Sequence, residues 1–216
     1  MPQIELSTAD EHEFTAYRAD PDGPPLGAVV VIQEIFGVNS HMRDVADQFA
    51  AAGFVAVAPA LFDRIEPGIE LGYDASGVGR AKSLAWKMPI EDALTDMATT
   101  AEALAEEFGG AAHVGVVGYC WGGMLTAALA SRHSELIAGA VAYYPSKAAQ
   151  LLVDDRPQVP LMVHLGDKDT GVTPADGRTL EERWPTATFH RYEQAGHGFN
   201  CDQRPGHDAE ASAQAF

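Results

Sequence analysis

The sequence predicts an α/β fold, a single domain with a mostly parallel central sheet flanked by helices on both faces. Three observations predict it. Short β-branched runs recur along the chain, at Gly27–Ile32, Phe54–Ala58 and Val114–Gly118, and continuous apolar runs of this length are the pattern of strands buried on both faces. Segments with apolar residues at helical spacing separate those runs, and strands alternating with helices make parallel sheets. Finally, the 216 residues are 46% hydrophobic and contain no repeat or low-complexity linker, so residues 1–216 can form one large core.

The elements run in order along the chain. Gln3–Leu6 and His12–Tyr17 read as two short strands before a turn at Pro21–Pro25. Gly27–Ile32 is the first buried strand. A helix begins at Ser40, points Val45, Phe49 and Ala52 inward, and ends at Gly53, because glycine tolerates the left-handed conformation that closes helices. Phe54–Ala58 is the next buried strand, and Pro59 to Met88 is irregular with a helix near Arg80–Trp86. Pro89 suits a helix start, and Ile90, Leu94, Met97, Ala101, Leu104 and Phe108 then share one face until Gly109-Gly110 stops the helix. Val114–Gly118, Ile137–Tyr143, Leu161–Leu165 and Thr188–Tyr192 supply further strands. Met124–Arg132 and Leu180–Trp184 read as helices, and a short helix closes the chain.

Charge narrows the functions. Lys and Arg total 14 against 31 Asp and Glu, a formal charge of -17. Such a surface repels phosphate backbones and anionic lipids, so neither nucleic acid nor membrane is an expected partner. The start MPQIELSTAD lacks the basic residues and apolar run of a signal peptide, and no stretch approaches the ~18 apolar residues of a membrane span. The expectation is a cytoplasmic protein, monomeric or weakly self-associating, whose two cysteines, Cys120 and Cys201, stay reduced.

The segment Gly118-Tyr119-Cys120-Trp121-Gly122-Gly123 carries the strongest chemical signal. It has the form G-x-nucleophile-x-G between an apolar strand and a helix. A nucleophile on a strained strand-to-helix turn needs small residues two positions to either side, and Gly118 and Gly122 meet that need. The next N–H, from Trp121, opens the helix and can donate to an oxyanion, while the helix dipole favours a thiolate at Cys120. The plainer reading is a buried, inert cysteine in an ordinary turn.

The later part of the chain favours the chemical reading. A cysteine nucleophile needs an imidazole base and usually an orienting carboxylate. Gly166-Asp167-Lys168-Asp169 comes after one late strand, and Ala195-Gly196-His197-Gly198-Phe199 after the next. This is the order nucleophile, acid, histidine found in α/β-hydrolases. Asp169 is the preferred acid; Asp167 is its competitor, since aspartates in such loops often cap turns. His12, His41, His113, His133, His164, His190 and His207 lack both that loop context and the pairwise spacing of a zinc site, so no metal and no cofactor is expected.

With Gln33-Glu34-Ile35-Phe36-Gly37-Val38-Asn39 added, these motifs together resemble the dienelactone hydrolase (carboxymethylenebutenolidase) family of the α/β-hydrolases, from about Ile32 to Phe199. The resemblance implies a Cys120–His197–Asp169 triad that cleaves an ester or lactone, with backbone N–H groups of Ile35 and Trp121 as the oxyanion hole. It also implies that Glu34 lies beside the thiol and takes its proton when substrate arrives. A carboxylate in a poorly solvated pocket can act as such a base on physical grounds; the alternative is that Glu34 caps the loop backbone. The family holds its substrate carboxylate with two arginines. Arg80, ahead of Trp86, matches the first, whereas the position four past His197 is Cys201, with Arg204 offset beyond it.

Two further readings accompany this one. A broader carboxylesterase or thioesterase would use the same groups on neutral esters. A thiol redox protein, with Cys120 resolved by Cys201, leaves Glu34, Asp169 and His197 without a role.

Overall fold

The computed structural model describes residues 3–216. Eight strands form one sheet: β1 (Gln3–Ser7), β2 (Glu13–Ala19), β3 (Ala28–Ile32), β4 (Val55–Pro59), β5 (Val114–Tyr119), β6 (Gly139–Tyr143), β7 (Leu161–Gly166) and β8 (Thr188–Tyr192). Their order across the sheet is β1-β2-β4-β3-β5-β6-β7-β8. The β1–β2 and β2–β4 pairs are antiparallel, and the rest of the sheet is parallel. The expected α/β architecture is therefore the observed one.

Seven helices complete it: α1 (Ser40–Ala51), α2 (Ala75–Lys87), α3 (Ile90–Phe108), α4 (Trp121–Arg132), α5 (Ala148–Leu151), α6 (Pro174–Arg183) and α7 (Ala209–Ala215). Asn39 caps α1 by accepting from the Met42 N–H, which satisfies one of the helix's otherwise unpaired donors. The buried face of α1 is Met42, Val45, Ala46 and Ala50; Ala52, expected to point inward, is exposed because the helix ends one residue before it. Helix α2 runs further than its few apolar residues suggested, because Asp74 caps it at two N–H groups. Gly109 ends α3 with φ 79, as a left-handed cap. Helix α5 carries no sequence signal of its own, being a single turn.

Burial follows the sheet. Val30, Val31, Ile32, Val55 to Ala58 and Val114 to Tyr119, apart from Gly115, are all buried, as expected of strands covered on both faces. Helix α4 is almost entirely buried, so its amphipathic signal is weak. Among the described residues no helix is long and apolar enough to cross a membrane.

The two ends of the strands differ in chemistry. At their starts lies an apolar groove of about 450 Å³, lined among others by Val29, Gly115, Gly139, Leu161, Met162 and Thr188. It contains no ionisable side chain. At the carboxyl ends, loops after β3, β5, β6, β7 and β8 converge, which is where parallel sheets place their reactive groups.

Candidate active site

The elbow is built by close backbone approach. Cys120 has φ 57 and ψ -115, a strained conformation for any residue with a Cβ. A Cβ on Gly118 would lie 2.3 Å from the Gly122 carbonyl oxygen, and one on Gly122 would lie 2.3 Å from that of Gln33. Both positions must be glycine, for the steric reason that the G-x-C-x-G spacing suggests. The result lifts Cys120 Sγ off the end of β5 at the start of α4.

Cys120 Sγ lies 3.1 Å from His197 Nε2, and His197 Nδ1 lies 2.8 Å from Asp169 Oδ2. The other carboxylate oxygen of Asp169 accepts from the N–H groups of Gly171 (2.6 Å) and Val172 (2.9 Å). Backbone bonds hold the acid and histidine loops together: Lys168 N–H donates to the Ala195 carbonyl and Asp167 N–H to that of Tyr192. Asp169 meets the imidazole, whereas Asp167 pairs with Arg191 at 3.1 Å.

Tyr144 packs edge-on against His197, with ring centroids 5.1 Å apart, and restricts the imidazole from the side. Burial alone would lower the proton affinity of His197. The adjacent Cys120 sulfur and the Asp169 carboxylate outweigh it and push the imidazole from 6.5 up to about 10.

Glu34 is 1% exposed at the end of β3. Its Oε1 accepts from Arg204 Nη1 at 3.2 Å, while Oε2 is buried without a partner. Among the described residues its carboxylate makes no hydrogen bond to Cys120 and accepts none from the loop backbone. Ile35 is half-buried beside it, and Trp121 is buried at the first position of α4, stacked on Phe62 at 5.4 Å. As the first helical residue, Trp121 has an N–H with no partner inside the helix.

Arg204 reaches the site although its place along the chain does not suggest it. Successive turns, with Cys201 N–H donating to Gly198, Arg204 to Cys201 and His207 to Arg204, fold the chain back. The guanidinium then lies over the rings of Phe36 (5.8 Å) and Tyr73 (5.5 Å). Gly198, at φ 74, is what admits it: a Cβ there would lie 2.5 Å from Arg204 Nη1. The Pro205-Gly206 turn after it is the available sequence signal. A cation thus reaches Glu34 from seven positions past His197, although the position four past it is Cys201.

The structure does not bring Arg80 or Trp86 to the triad. Arg80 is half-exposed on α2 and pairs with the equally exposed Glu66 at 2.5 Å, and Trp86 is 91% exposed. Trp86 lies opposite the buried residues of α2, Gly77, Ala81 and Leu84, and Arg80 flanks them with its guanidinium in solvent. Cys201 is wholly buried, and burial pushes its thiol up to about 11. Both cysteines are free. Among the described residues no cluster of His, Cys, Asp and Glu has the arrangement of a metal site.

Comparison with known proteins places this geometry. The model of the dienelactone hydrolase family matches residues 14–216. Carboxymethylenebutenolidase from Pseudomonas putida is 30% identical over 218 residues, covering 98% of this chain and 91% of that protein. A Synechocystis protein provisionally named carboxymethylenebutenolidase is 36% identical over 217 residues, covering 94% of this chain and 88% of its own. A solved structure from Klebsiella pneumoniae, provisionally named a dienelactone hydrolase, superimposes with a TM-score of 0.84 at 28% identity, covering 99% of this chain and 94% of that one.

Proposed function

The chain belongs to the dienelactone hydrolase family, and from that premise we propose that it hydrolyses an ester or lactone through Cys120, His197 and Asp169 by way of a thioester. The observation that carries the reading is the 3.1 Å contact between Cys120 Sγ and His197 Nε2, with Asp169 behind the imidazole at 2.8 Å.

The steps are set by that contact. As substrate binds, the Cys120 proton passes to His197 or to Glu34, and the thiolate attacks the substrate carbonyl. A C–S bond forms, and the carbonyl electron pair moves to oxygen, where the N–H groups of Ile35 and Trp121 donate to it. When the tetrahedral species collapses, the C–O bond breaks and the imidazolium protonates the leaving oxygen. Neutral His197, held by Asp169, then removes a proton from water, and the hydroxide cleaves the thioester and returns the acid product.

Arg204 supports an anionic substrate. It is the one cation hydrogen-bonded to Glu34 among the described residues, and a substrate carboxylate would compete with Glu34 for it. Glu34, so released, would stand in a buried pocket as an acceptor for a proton. The same machinery on neutral esters is the second reading, favoured by the ion pairing of both Arg204 and Arg80, which leaves no unpaired guanidinium at either position.

Steady-state hydrolysis of a dienelactone beside neutral aryl esters, by wild type and Cys120→Ala, tests the reading. Turnover of either class that vanishes in the variant supports it, together with a thioester adduct seen by mass spectrometry. Turnover that survives the loss of Cys120 would end it.

A further inference from the structure

The segment between Phe62 and α2 closes over the loop that follows β3, and none of the roles above uses it. Gly37 and Glu70 form an isolated antiparallel bridge, and the Leu71 N–H donates to the Phe36 carbonyl at 2.9 Å. Gly37 makes this approach possible: it sits at φ 79, and a Cβ there would overlap the Ile69 carbonyl oxygen. Asn39 ties the same two loops together. Its Oδ1 accepts from the Met42 N–H at the start of α1. Its Nδ2 is thereby turned to donate to the Leu71 carbonyl at 3.1 Å and to the Tyr73 hydroxyl at 3.2 Å.

So anchored, Tyr73 sets its ring edge-on to Phe36, with centroids 4.5 Å apart. The Arg204 guanidinium carbon lies 5.5 Å from the Tyr73 centroid and 5.8 Å from that of Phe36. Both distances are within the reach at which a cation is drawn to the negative face of an aromatic ring. Tyr73 offers that face as a neutral group, because burial, and after it the Glu34 carboxylate, raise its proton affinity.

Little else holds the guanidinium. Among the described residues the Arg204 side chain has one hydrogen bond, to Glu34 at 3.2 Å, and it keeps 23% of its surface exposed. A substrate carboxylate that competes for the guanidinium breaks that bond, and the two rings remain. Phe36 belongs to the same loop as Glu34 and Ile35, whereas Tyr73 reaches in from a separate segment. We propose that Tyr73 is a positioning residue for Arg204, keeping the guanidinium over the site when Glu34 lets go and so setting a preference for anionic over neutral substrates. The role rests on the reading of Arg204 as the group that meets a substrate carboxylate.

Steady-state hydrolysis of an anionic lactone and of a neutral aryl ester is measured for wild type, Tyr73→Leu, Tyr73→Phe and Arg204→Gln. Leucine keeps apolar bulk and removes the ring, whereas phenylalanine keeps the ring and gives up only the hydroxyl. Tyr73→Leu should lower the ratio of kcat/KM for the lactone to that for the ester by about three- to thirtyfold, the worth of a cation over a ring in a partly solvated site. The loss should fall on the lactone KM rather than on kcat. Tyr73→Phe should keep the ratio within about twofold of wild type. Urea melts of Tyr73→Leu, Arg204→Gln and the double variant add a reading that needs no substrate. The losses in folding equilibrium should overlap, so that the double variant is less damaged than the product of the two single losses predicts.

A ratio unmoved in Tyr73→Leu although Arg204→Gln moves it, a phenylalanine variant as impaired as the leucine one, or strictly additive losses in urea overturns the proposal. A lactone KM indifferent to Arg204→Gln would instead remove the anionic-substrate reading, and the specificity role of Tyr73 with it. The urea melts tell these failures apart, since they read the contact of Tyr73 with Arg204 alone.

Discussion

Nη1 of Arg204 lies 3.2 Å from Oε1 of Glu34, joining the turn after the histidine loop to the end of β3. The pair is asymmetric: the carboxylate is almost wholly buried, while the Arg204 side chain keeps 23% of its surface exposed. Removing the arginine leaves a buried charge with both oxygens unpartnered, since Oε2 has no partner already.

Arg204→Gln should therefore lower stability by about 2–3 kcal/mol, discounted from a fully buried pair for the solvent at the arginine end. Glu34→Gln should cost less, because it removes the buried charge along with the pair. Urea melts of the two variants check the order. A larger loss in Glu34→Gln than in Arg204→Gln would contradict the asymmetry.

The strain at Cys120 makes a separate prediction. Cys120→Ala and Cys120→Gly should both lose at least about 10³-fold in turnover. They should differ in stability, however. Glycine relieves the φ of 57 at a smaller entropic cost, so Cys120→Gly is expected to be more stable than Cys120→Ala by roughly 1 kcal/mol. Equal melting temperatures would mean that the elbow is not strained.

His197 offers a spectroscopic check on the pair. Burial lowers its proton affinity, while the Cys120 sulfur is the foremost group raising it, to about 10. Cys120→Ala removes the sulfur and leaves the burial, so the imidazole should titrate lower by about 1–3 units. Ring-proton NMR against pH reads this directly. An unchanged midpoint in the variant would show that the sulfur carries no charge in the wild type.

The sheet and the geometry of the elbow were legible because each leaves a local trace. Parallel strands buried on both faces print runs such as Val29–Ile32, and the elbow prints Gly118 and Gly122, whose missing side chains meet backbone. Arg204 left only the Pro205-Gly206 turn after it as a trace. Its position depends on three consecutive turns and on Gly198, and counting residues from His197 pointed to Cys201 instead. Ser146, whose Oγ lies 3.3 Å from Cys120 Sγ, is silent for a related reason: it gets there through a loop whose left-handed residues, Tyr144 and Lys147, are not glycine. Arg80 and Trp86 show the converse, since a matching order along α2 did not bring their side chains to the triad.

Away from the site, His164 should govern stability in mild acid. It is buried on β7, with Nδ1 2.8 Å from the Tyr192 hydroxyl and Nε2 unpartnered, and stacked between Tyr143 and His190. Burial, with His190 adding to it, lowers its proton affinity from 6.5 to about 4. The folded-state value is depressed, so the unfolded chain binds the proton first as pH falls. The stability is fully present above about 6.5 and is lost progressively toward pH 4, by roughly 3 kcal/mol. His164→Phe should flatten that slope in urea melts across this window, whatever its stability at neutral pH.

Arg204 and Arg80 should differ in what their loss does to substrate binding. If Arg204 is the group that meets a substrate carboxylate, Arg204→Gln should raise KM for an anionic lactone by about 10–100-fold, the worth of a charged hydrogen bond in a partly buried site. It should leave a neutral aryl ester nearly untouched. Arg80→Ala breaks only an exposed pair with Glu66, which contributes less than about 1 kcal/mol, so neither KM nor stability should move much. The converse pattern, with KM sensitive to Arg80 and indifferent to Arg204, would mean that α2 closes over the bound substrate and that its exposed face in the free protein is the recognition surface. Indifference to both would remove the anionic substrate and leave the neutral-ester reading on the same triad.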